Sequence, residues 1–364
     1  MKNNNYVVIM AGGIGSRFWP YSRTSKPKQF LDIFKTGHSL LQMTFDRFAK
    51  LVPKDNIYII THLDYEALVE AQLPQLKKNQ ILLEPLRRNT APCIAFACYK
   101  IAKINEKAVV TVAPSDHLIT DDAAFKTTWK TAVAAAEDHI KLITIGLTPH
   151  SPETGYGYIQ FLEGKGAVKE GKGAVKKVKT FTEKPEKALA EKFIESGDFV
   201  WNSGIFVWGV NAIKSAMAES LPEMADLFEE ATPALNTKNE ADAIQTAYAQ
   251  SNNISIDYGI MEHSSQVYVV LGDFGWSDLG SWSALHEISD KDIYENAVQA
   301  NALLYDTKNT LVQGPKDKLI IVQGLTDYLV AECDNVLLIC KKNNEQKFRD
   351  FVADVKESKG KEFL

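Results

Sequence analysis

Cysteine is scarce in this sequence: Cys93, Cys98, Cys333 and Cys340 are the only four. None stands in a Cys-x-x-Cys pair and no Cys/His spacing matches a zinc site, which argues against a disulfide scaffold or a zinc-stapled domain. Scattered thiols instead suit a reducing compartment, so a cytoplasmic protein is expected. Long apolar runs are missing as well, and nothing approaches the roughly 20 residues of a membrane span. The opening Met-Lys-Asn-Asn-Asn is followed only by the apolar residues 6–10, too few for the ~7–15-residue core of a signal peptide. Charge of one sign is lacking too: 41 Lys+Arg against 46 Asp+Glu leave a formal charge of −5 with no long run of either. Neither a nucleic acid nor a membrane is expected as a partner, although a local basic pocket for phosphates is compatible with this balance.

What remains is a globular composition, 45% hydrophobic and 24% charged over 364 residues, enough for about two domains. From the N-terminus, short β-branched runs (6–10, 56–61, 81–83, 108–112, 142–145) alternate with helical patterns (40–51, 65–76, 91–104, 123–138). Such alternation, with continuous apolar strands, predicts an α/β fold with a mostly parallel sheet covered on both faces, whose active site lies beyond the strand C-termini. From about 150 the pattern changes to paired strands rich in Gly, Tyr and Trp (155–161, 175–181, 200–210, 266–271). Beyond 289 only short alternating strands follow, closed by a helical pattern at 345–357. The expected division is a larger domain at 1–289, in two halves that meet at about 150, and a small β-rich domain at 290–364. Glu-Gly-Lys-Gly-Ala-Val-Lys at 163–169 recurs at 170–176. Two copies make no solenoid, and Gly and Lys between strand patterns predict a lengthened surface hairpin loop.

The densest chemical signal is Ala11-Gly12-Gly13-Ile14-Gly15-Ser16-Arg17-Phe18-Trp19-Pro20, directly after the first strand. Its glycines allow a tight turn and bring N–H groups against phosphate oxygens. The pattern fails as a dinucleotide fingerprint, because Phe18 stands where the third glycine belongs, and it has no Gly-Lys-Ser/Thr. Glycines alone are equally explained by a ligand-free turn. The cations Arg17, Arg23, Lys26 and Lys28, on a segment stiffened by Pro20 and Pro27, favour a loop that surrounds a triphosphate.

Gly12-Gly13-x-Gly15-x-Arg17-x-x-Pro20 followed by Pro27-Lys28-Gln29-Phe30 resembles the signature of the sugar-nucleotide pyrophosphorylases, nucleotidyltransferases that join a sugar 1-phosphate to an NTP. Blocks in matching order follow: Glu84-Pro85-x-x-Arg88-Asn89-Thr90-Ala91-Pro92, Pro114-Ser115-Asp116-His117, Thr154-Gly155-Tyr156-Gly157, Phe181-Thr182-Glu183-Lys184-Pro185, Trp201-Asn202-Ser203-Gly204 and Trp276-Ser277-Asp278-Leu279-Gly280. Together they look like the mannose-1-phosphate guanylyltransferase branch, and the resemblance runs from residue 6 to about 340. It implies a Rossmann-like, GT-A-like mixed sheet and a small C-terminal β-helix-like domain used to form a homodimer. The implied substrates are GTP and mannose 1-phosphate, giving GDP-mannose, with Mg²⁺ as cofactor. A non-catalytic nucleotide-sugar-sensing subunit, or an enzyme for another sugar 1-phosphate or NTP, are the alternatives.

The resemblance also assigns roles. Arg17 would hold the leaving pyrophosphate and Lys28 the α-phosphoryl region. Gly12, Gly13, Gly15, Glu84, Pro85, Asn89 and Thr90 would bind the nucleotide. Gly155, Glu183, Lys184, Asn202, Gly204 and, as a weaker candidate, Asp257 would bind the sugar phosphate. Asp116 and Asp278 would hold Mg²⁺, which is typically bound by one or two carboxylates plus substrate oxygens. His117 is either an orienter of Asp116 or a structural histidine. Most of Trp201, Trp208, Trp276 and Trp282 are expected in the core. Glu332-Cys333-Asp334 departs from the Thr-bearing turn expected there.

Overall fold

The computed structural model describes residues 4–162 and 175–364. The duplicated segment lies outside the described residues except for Val175 and Lys176. The strands are β1 (Asn5–Met10), β2 (Ile57–His62), β3 (Ile81–Glu84), β4 (Val109–Pro114), β5 (Leu118–Ile119), β6 (Leu142–Leu147), β7 (Gly157–Phe161), β8 (Val175–Glu183), β9 (Phe199–Gly209), β10 (Val267–Gly272), β11 (Trp276–Ser277), β12 (Ala297–Gln299), β13 (Asn301–Tyr305), β14 (Leu311–Gln313), β15 (Leu319–Gln323), β16 (Tyr328–Cys333) and β17 (Val336–Lys341). The helices are α1 (Leu40–Ala49), α2 (Glu66–Gln72), α3 (Thr90–Ile104), α4 (Asp122–Ala136), α5 (Lys187–Ser196), α6 (Val210–Ser220), α7 (Pro222–Ala231), α8 (Glu240–Gln250), α9 (Trp282–Ile288) and α10 (Phe348–Ser358). No described helix is long and apolar enough to cross a membrane.

By packing, the chain falls into two compact units. The first comprises Met1–Gly12, Gln42–Ser115 and Ile119–Trp276; the second comprises Gly13–Leu41, Asp116–Leu118 and Ser277–Leu364. The expected boundary at 289/290 follows the run of the chain. Packing instead gathers the glycine-rich loop with the C-terminal strands.

The first unit is built on a nine-stranded sheet in the order β3-β2-β1-β4-β9-β6-β10-β8-β7. Parallel registers join β3, β2, β1 and β4, and again β6 and β10, while β9 and β8 run against their neighbours. The sheet is therefore mixed, with most strands pointing one way. β1 is buried through its centre, as a strand covered on both faces requires. Helix α3 is buried from Ala91 to Ala102, which matches a sequence apolar on every side. In register Met10 faces Pro114 and His62 faces Glu84, so the C-terminal ends of β1 to β4 lie together. Gly12 and Glu84 belong to that edge.

In the second unit, β12, β14 and β16 form a parallel ladder closed by antiparallel β17, and β13 pairs with β15 in a second parallel ladder. From β12 to β16 the chain alternates between the ladders strand by strand. Val312, Val322 and Val330 form the centre of their shared core, with Ala302, Leu304 and Ile320 packed against it.

Candidate active site

In the second unit the glycine-rich loop closes over a buried lysine. Gly15 has φ +64°, and a Cβ there would stand 2.6 Å from Lys28 Cβ and 3.2 Å from Lys28 N, so a side chain is excluded on both counts. Lys28 opens a short turn after Pro27 and is 4% exposed. Its Nζ donates to Asp116 Oδ2 at 2.9 Å and to the backbone oxygens of Asp278 and Leu279 at 2.8 and 3.0 Å. These acceptors match all three ammonium N–H groups. Burial opposes the charge on Asp116, but the Lys28 ammonium, His117 and the hydrogen bonds outweigh it and hold the carboxyl below its ordinary value. Asp278 Oδ1 accepts from Gly280 N–H at 2.8 Å, and a Cβ on Gly280 would stand 2.4 Å from Oδ2. Gln29 Nε2 donates to the Gly13 oxygen at 2.9 Å. Arg17 is exposed on the turn Ser16–Phe18.

Arg23 has other work than the phosphate role expected for it. Its guanidinium donates to Asn335 Oδ1 at 2.9 Å and Cys333 O at 3.2 Å, and Asp334 lies 3.9 Å away. Cys333 and Asp334 belong to the segment that departs from the resemblance and Asn335 follows it directly, a pairing that sequence spacing does not reveal. Trp19 Nε1 donates to Phe363 O at 2.8 Å, and Lys35 Nζ to Gly314 O at 2.9 Å. Trp19, Arg23 and Lys35 thus tie the loop to the C-terminal part of its unit.

The first unit carries two polar clusters. At the end of β3, Glu84 is 7% exposed. Tyr248 Oη donates to its Oε1 at 3.1 Å, and a Cβ on Gly12 would stand 3.2 Å from its Oε2. Burial pushes Glu84 up to about 7 against the opposing pull of the Tyr248 hydroxyl and Arg87. After Pro85, Arg88 donates to the oxygens of Tyr248 and Ala249 at 3.3 and 3.4 Å, and Thr90 Oγ1 accepts from Ile256 N–H at 2.9 Å. Exposed Asn89 has φ 68° and ψ −165°, and its side chain accepts from Thr90 N–H at the start of α3.

The second cluster is gathered around β8 and β9. Glu183 Oε1 pairs with the exposed Lys184, whose φ is 49°. Its Oε2 is buried with no hydrogen-bond partner, and a Cβ on Gly157 would stand 2.4 Å from that oxygen and 3.2 Å from Asn202 Cβ. Asn202 accepts from Thr144 Oγ1 at 2.9 Å and Gly204 N–H at 3.2 Å, and donates to Asp257 Oδ1 at 2.9 Å. Gly204 has φ 70°. Desolvation, then the charge of Glu183, push Asp257 up to about 7. Asp257 begins one wide helical turn, Asp257–Met261, and Glu262 just beyond it accepts from Glu183 N–H at 3.1 Å. Gly155 is exposed with open space where a Cβ would be. An orphaned carboxylate oxygen beside an ammonium and an amide suits a ligand carrying hydroxyl donors.

The nucleotidyl transferase family model matches residues 6–295. The chain belongs to this family. Proteins similar to it include the xanthan biosynthesis protein XanB of Xanthomonas campestris, 37% identical over 96% of this chain and 73% of that protein. The mannose-1-phosphate guanylyltransferase of Klebsiella pneumoniae is 33% identical over 98% of this chain and 75% of its own length. The crystal structure of mannose-1-phosphate geranyltransferase from Thermus thermophilus superposes with a TM-score of 0.86 at 32% identity, covering 97% of this chain and all of that one. Nucleotidyl transferases of this family generally use a divalent metal. Among the described residues no group of three or more His, Cys, Asp or Glu forms a cage for one. The Asp116 carboxylate holds Lys28 Nζ, and Asp278 reaches the same ammonium through its backbone oxygen; both residues bring carboxylate oxygens of the kind that fit a metal completed by substrate phosphates.

Sequence reasoning missed Tyr248, Thr144 and Glu262, which hold Glu84, Asn202 and Glu183 from outside every motif. Gly157 was legible in its motif, but its contact with Glu183 depends on the β7–β8 pairing of these two residues.

Proposed function

We propose that this nucleotidyl transferase moves GMP from GTP to α-D-mannose 1-phosphate, giving GDP-mannose and pyrophosphate. A phosphate oxygen of the sugar forms a bond to the α-phosphorus of GTP. The bond from that phosphorus to the oxygen bridging to the β-phosphorus breaks, and pyrophosphate leaves with the electron pair. No proton has to be removed from the attacking phosphate, so the chain's task is alignment and charge neutralisation. Lys28 would exchange one of its three acceptors for an α-phosphoryl oxygen, with Arg17 on the pyrophosphate. Gly12, Gly13, Gly15, Glu84, Pro85, Asn89 and Thr90 would bind the nucleotide. Gly155, Glu183, Lys184, Asn202, Gly204 and Asp257 would bind the sugar phosphate. A divalent ion, Mg²⁺ in this proposal, would be held by Asp116 and Asp278 and would neutralise phosphate charge when bound. The observation that carries the proposal is the buried Lys28 ammonium, held by the Asp116 carboxylate and by the backbone oxygen of Asp278. The choice of GTP and mannose 1-phosphate is supported by the names of the relatives.

The same proposal makes the chain a cytoplasmic homodimer with a β-helix-like C-terminal region. Alternating parallel ladders support the last point. The dimer is supported by an exposed apolar face in which Leu303 and Ile321 are register partners flanked by Tyr305 and Leu319.

Pyrophosphate release from a matrix of NTPs and sugar 1-phosphates is the test. GTP with mannose 1-phosphate should lead and should stop on adding EDTA. Galactose 1-phosphate should be worse by up to about a hundredfold in kcat/KM, because reoriented hydroxyls leave buried polar groups unpaired. Turnover with dTTP and glucose 1-phosphate but not GTP would overturn the substrate assignment, and no turnover with any pair would favour a sensing subunit.

A further inference from the structure

Glu84 is held in a way that no motif accounts for. Its Oε1 accepts from the hydroxyl of Tyr248, a residue of α8 that is wholly buried. The other charged or titratable groups around it are Arg87 in the following loop and Cys93 on α3. Neighbouring β2 brings His62 into register with Glu84. His62 is paired with Asp64 at 2.9 Å, and Asp64 lies 3.7 Å from Arg87. Gly12 leaves space beside Oε2 that a side chain would crowd. The carboxylate is therefore gripped on one oxygen and lies against a glycine at the other. Arg88 reinforces the arrangement by binding the backbone oxygen of Tyr248 itself.

We propose that Tyr248 is a positioning residue for base selection, its hydroxyl fixing the Glu84 carboxylate as the acceptor for the N1–H and N2–H₂ donors of guanine. The inference rests on the GTP proposal above. An ionised carboxylate only accepts hydrogen bonds and so matches those two donors. Adenine offers an acceptor at N1 beside its N6–H₂ donor, a pattern that a protonated carboxyl satisfies and an ionised one does not. Choice of purine then follows the proton on Glu84. That proton is lost near neutral pH, because burial raises the group to about 7 while the Tyr248 hydroxyl draws it down. Losing the hydroxyl moves the transition to higher pH.

The test is the ratio of kcat/KM for GTP to that for ATP, each with mannose 1-phosphate, from pH 6 to 8.5. In the wild-type protein the ratio should rise at least about tenfold across this range, the scale of one hydrogen bond to a charged group. Tyr248→Phe should displace the rise to higher pH and raise the KM for GTP, with the KM for mannose 1-phosphate and the kcat at saturation unchanged. Glu84→Gln should flatten the profile, and adding Tyr248→Phe to it should change the ratio no further. A flat wild-type ratio, or a Tyr248→Phe profile superimposed on the wild type, overturns the inference. So does an equal effect of Tyr248→Phe with and without Glu84, which would mark a purely structural role. Absence of GTP turnover at pH 8.5 would remove the GTP proposal and this inference together, whereas turnover with a flat ratio would remove this inference alone.

Discussion

Single residues carry the sharpest consequences. Lys28 is a buried cation with each N–H matched to an acceptor, so Lys28→Met keeps the stem beside Phe18 while leaving Asp116 and two carbonyls without their donor. Steady-state kinetics should record a fall in kcat of about 10²-fold or more, the scale of a lost transition-state charge partner. A near-normal kcat would remove Lys28 from the mechanism. Asp257 illustrates the opposite electrostatic case. Its folded-state carboxyl is raised to about 7 from an unfolded value near ~3.9. Between those values the folded protein holds a proton that the unfolded chain has lost, so this group's contribution is fully favourable below pH ~4 and is withdrawn as pH rises to about 7. Thermal melts should therefore show Asp257→Asn gaining on the wild type between pH 4.5 and 7.5, by roughly 1–3 kcal/mol. A constant difference across that range would mean that Asp257 titrates like an ordinary surface carboxyl. Glu84, raised in the same direction, keeps part of the slope in the variant.

At the scale of elements, the junction between β3 and α3 joins strain to proposed binding. Asn89 sits at φ 68°, ψ −165°, a region that costs a non-glycine residue about 1–3 kcal/mol, and its side chain caps the helix that follows. Asn89→Gly relieves the strain and loses the cap, so its melting midpoint should match or exceed that of the wild type. Asn89→Ala keeps the strain and loses the cap, costing about 1 kcal/mol. Both should raise the KM for GTP, which separates the binding role from the folding role; an unchanged KM in both would limit Asn89 to capping. Helix α3 and strands β1 to β4 were legible in the sequence because they are periodic or continuously apolar. The partners of this junction were not. Tyr248 and Ile256 reach it from over 150 residues away, and nothing in the pattern of α8 distinguishes a tyrosine that fills space from one that grips a carboxylate. The glycine-rich loop was legible as a cradle, but the diversion of Arg23 to Asp334 and Asn335 was not, since a cation in such a loop reads as a phosphate ligand until its partner is seen.

For the molecule as a whole, the second unit matters most, because it combines the proposed phosphate-binding residues with strands that carry none of the chemistry. Arg23 and Lys35 fasten the loop to the C-terminal segment. The double variant Arg23→Ala, Lys35→Ala should lower kcat by about tenfold or more through misplacement of Lys28 and Arg17, since misalignment of about 1 Å from a distant change can cost ~10²-fold. Its binding constant for mannose 1-phosphate, measured by calorimetry, should stay within about twofold, because Glu183, Asn202 and Asp257 belong to the other unit. Equal losses in turnover and sugar binding would point instead to general unfolding. The discontinuous make-up of the second unit also bears on how such chains exchange parts. A chimera that takes residues 290–364 from a relative inherits a foreign seat for Trp19, Arg23 and Lys35. A graft that carries 13–41, 116–118 and 277–364 together preserves those matches, so the heritable module is one set by packing rather than by contiguity.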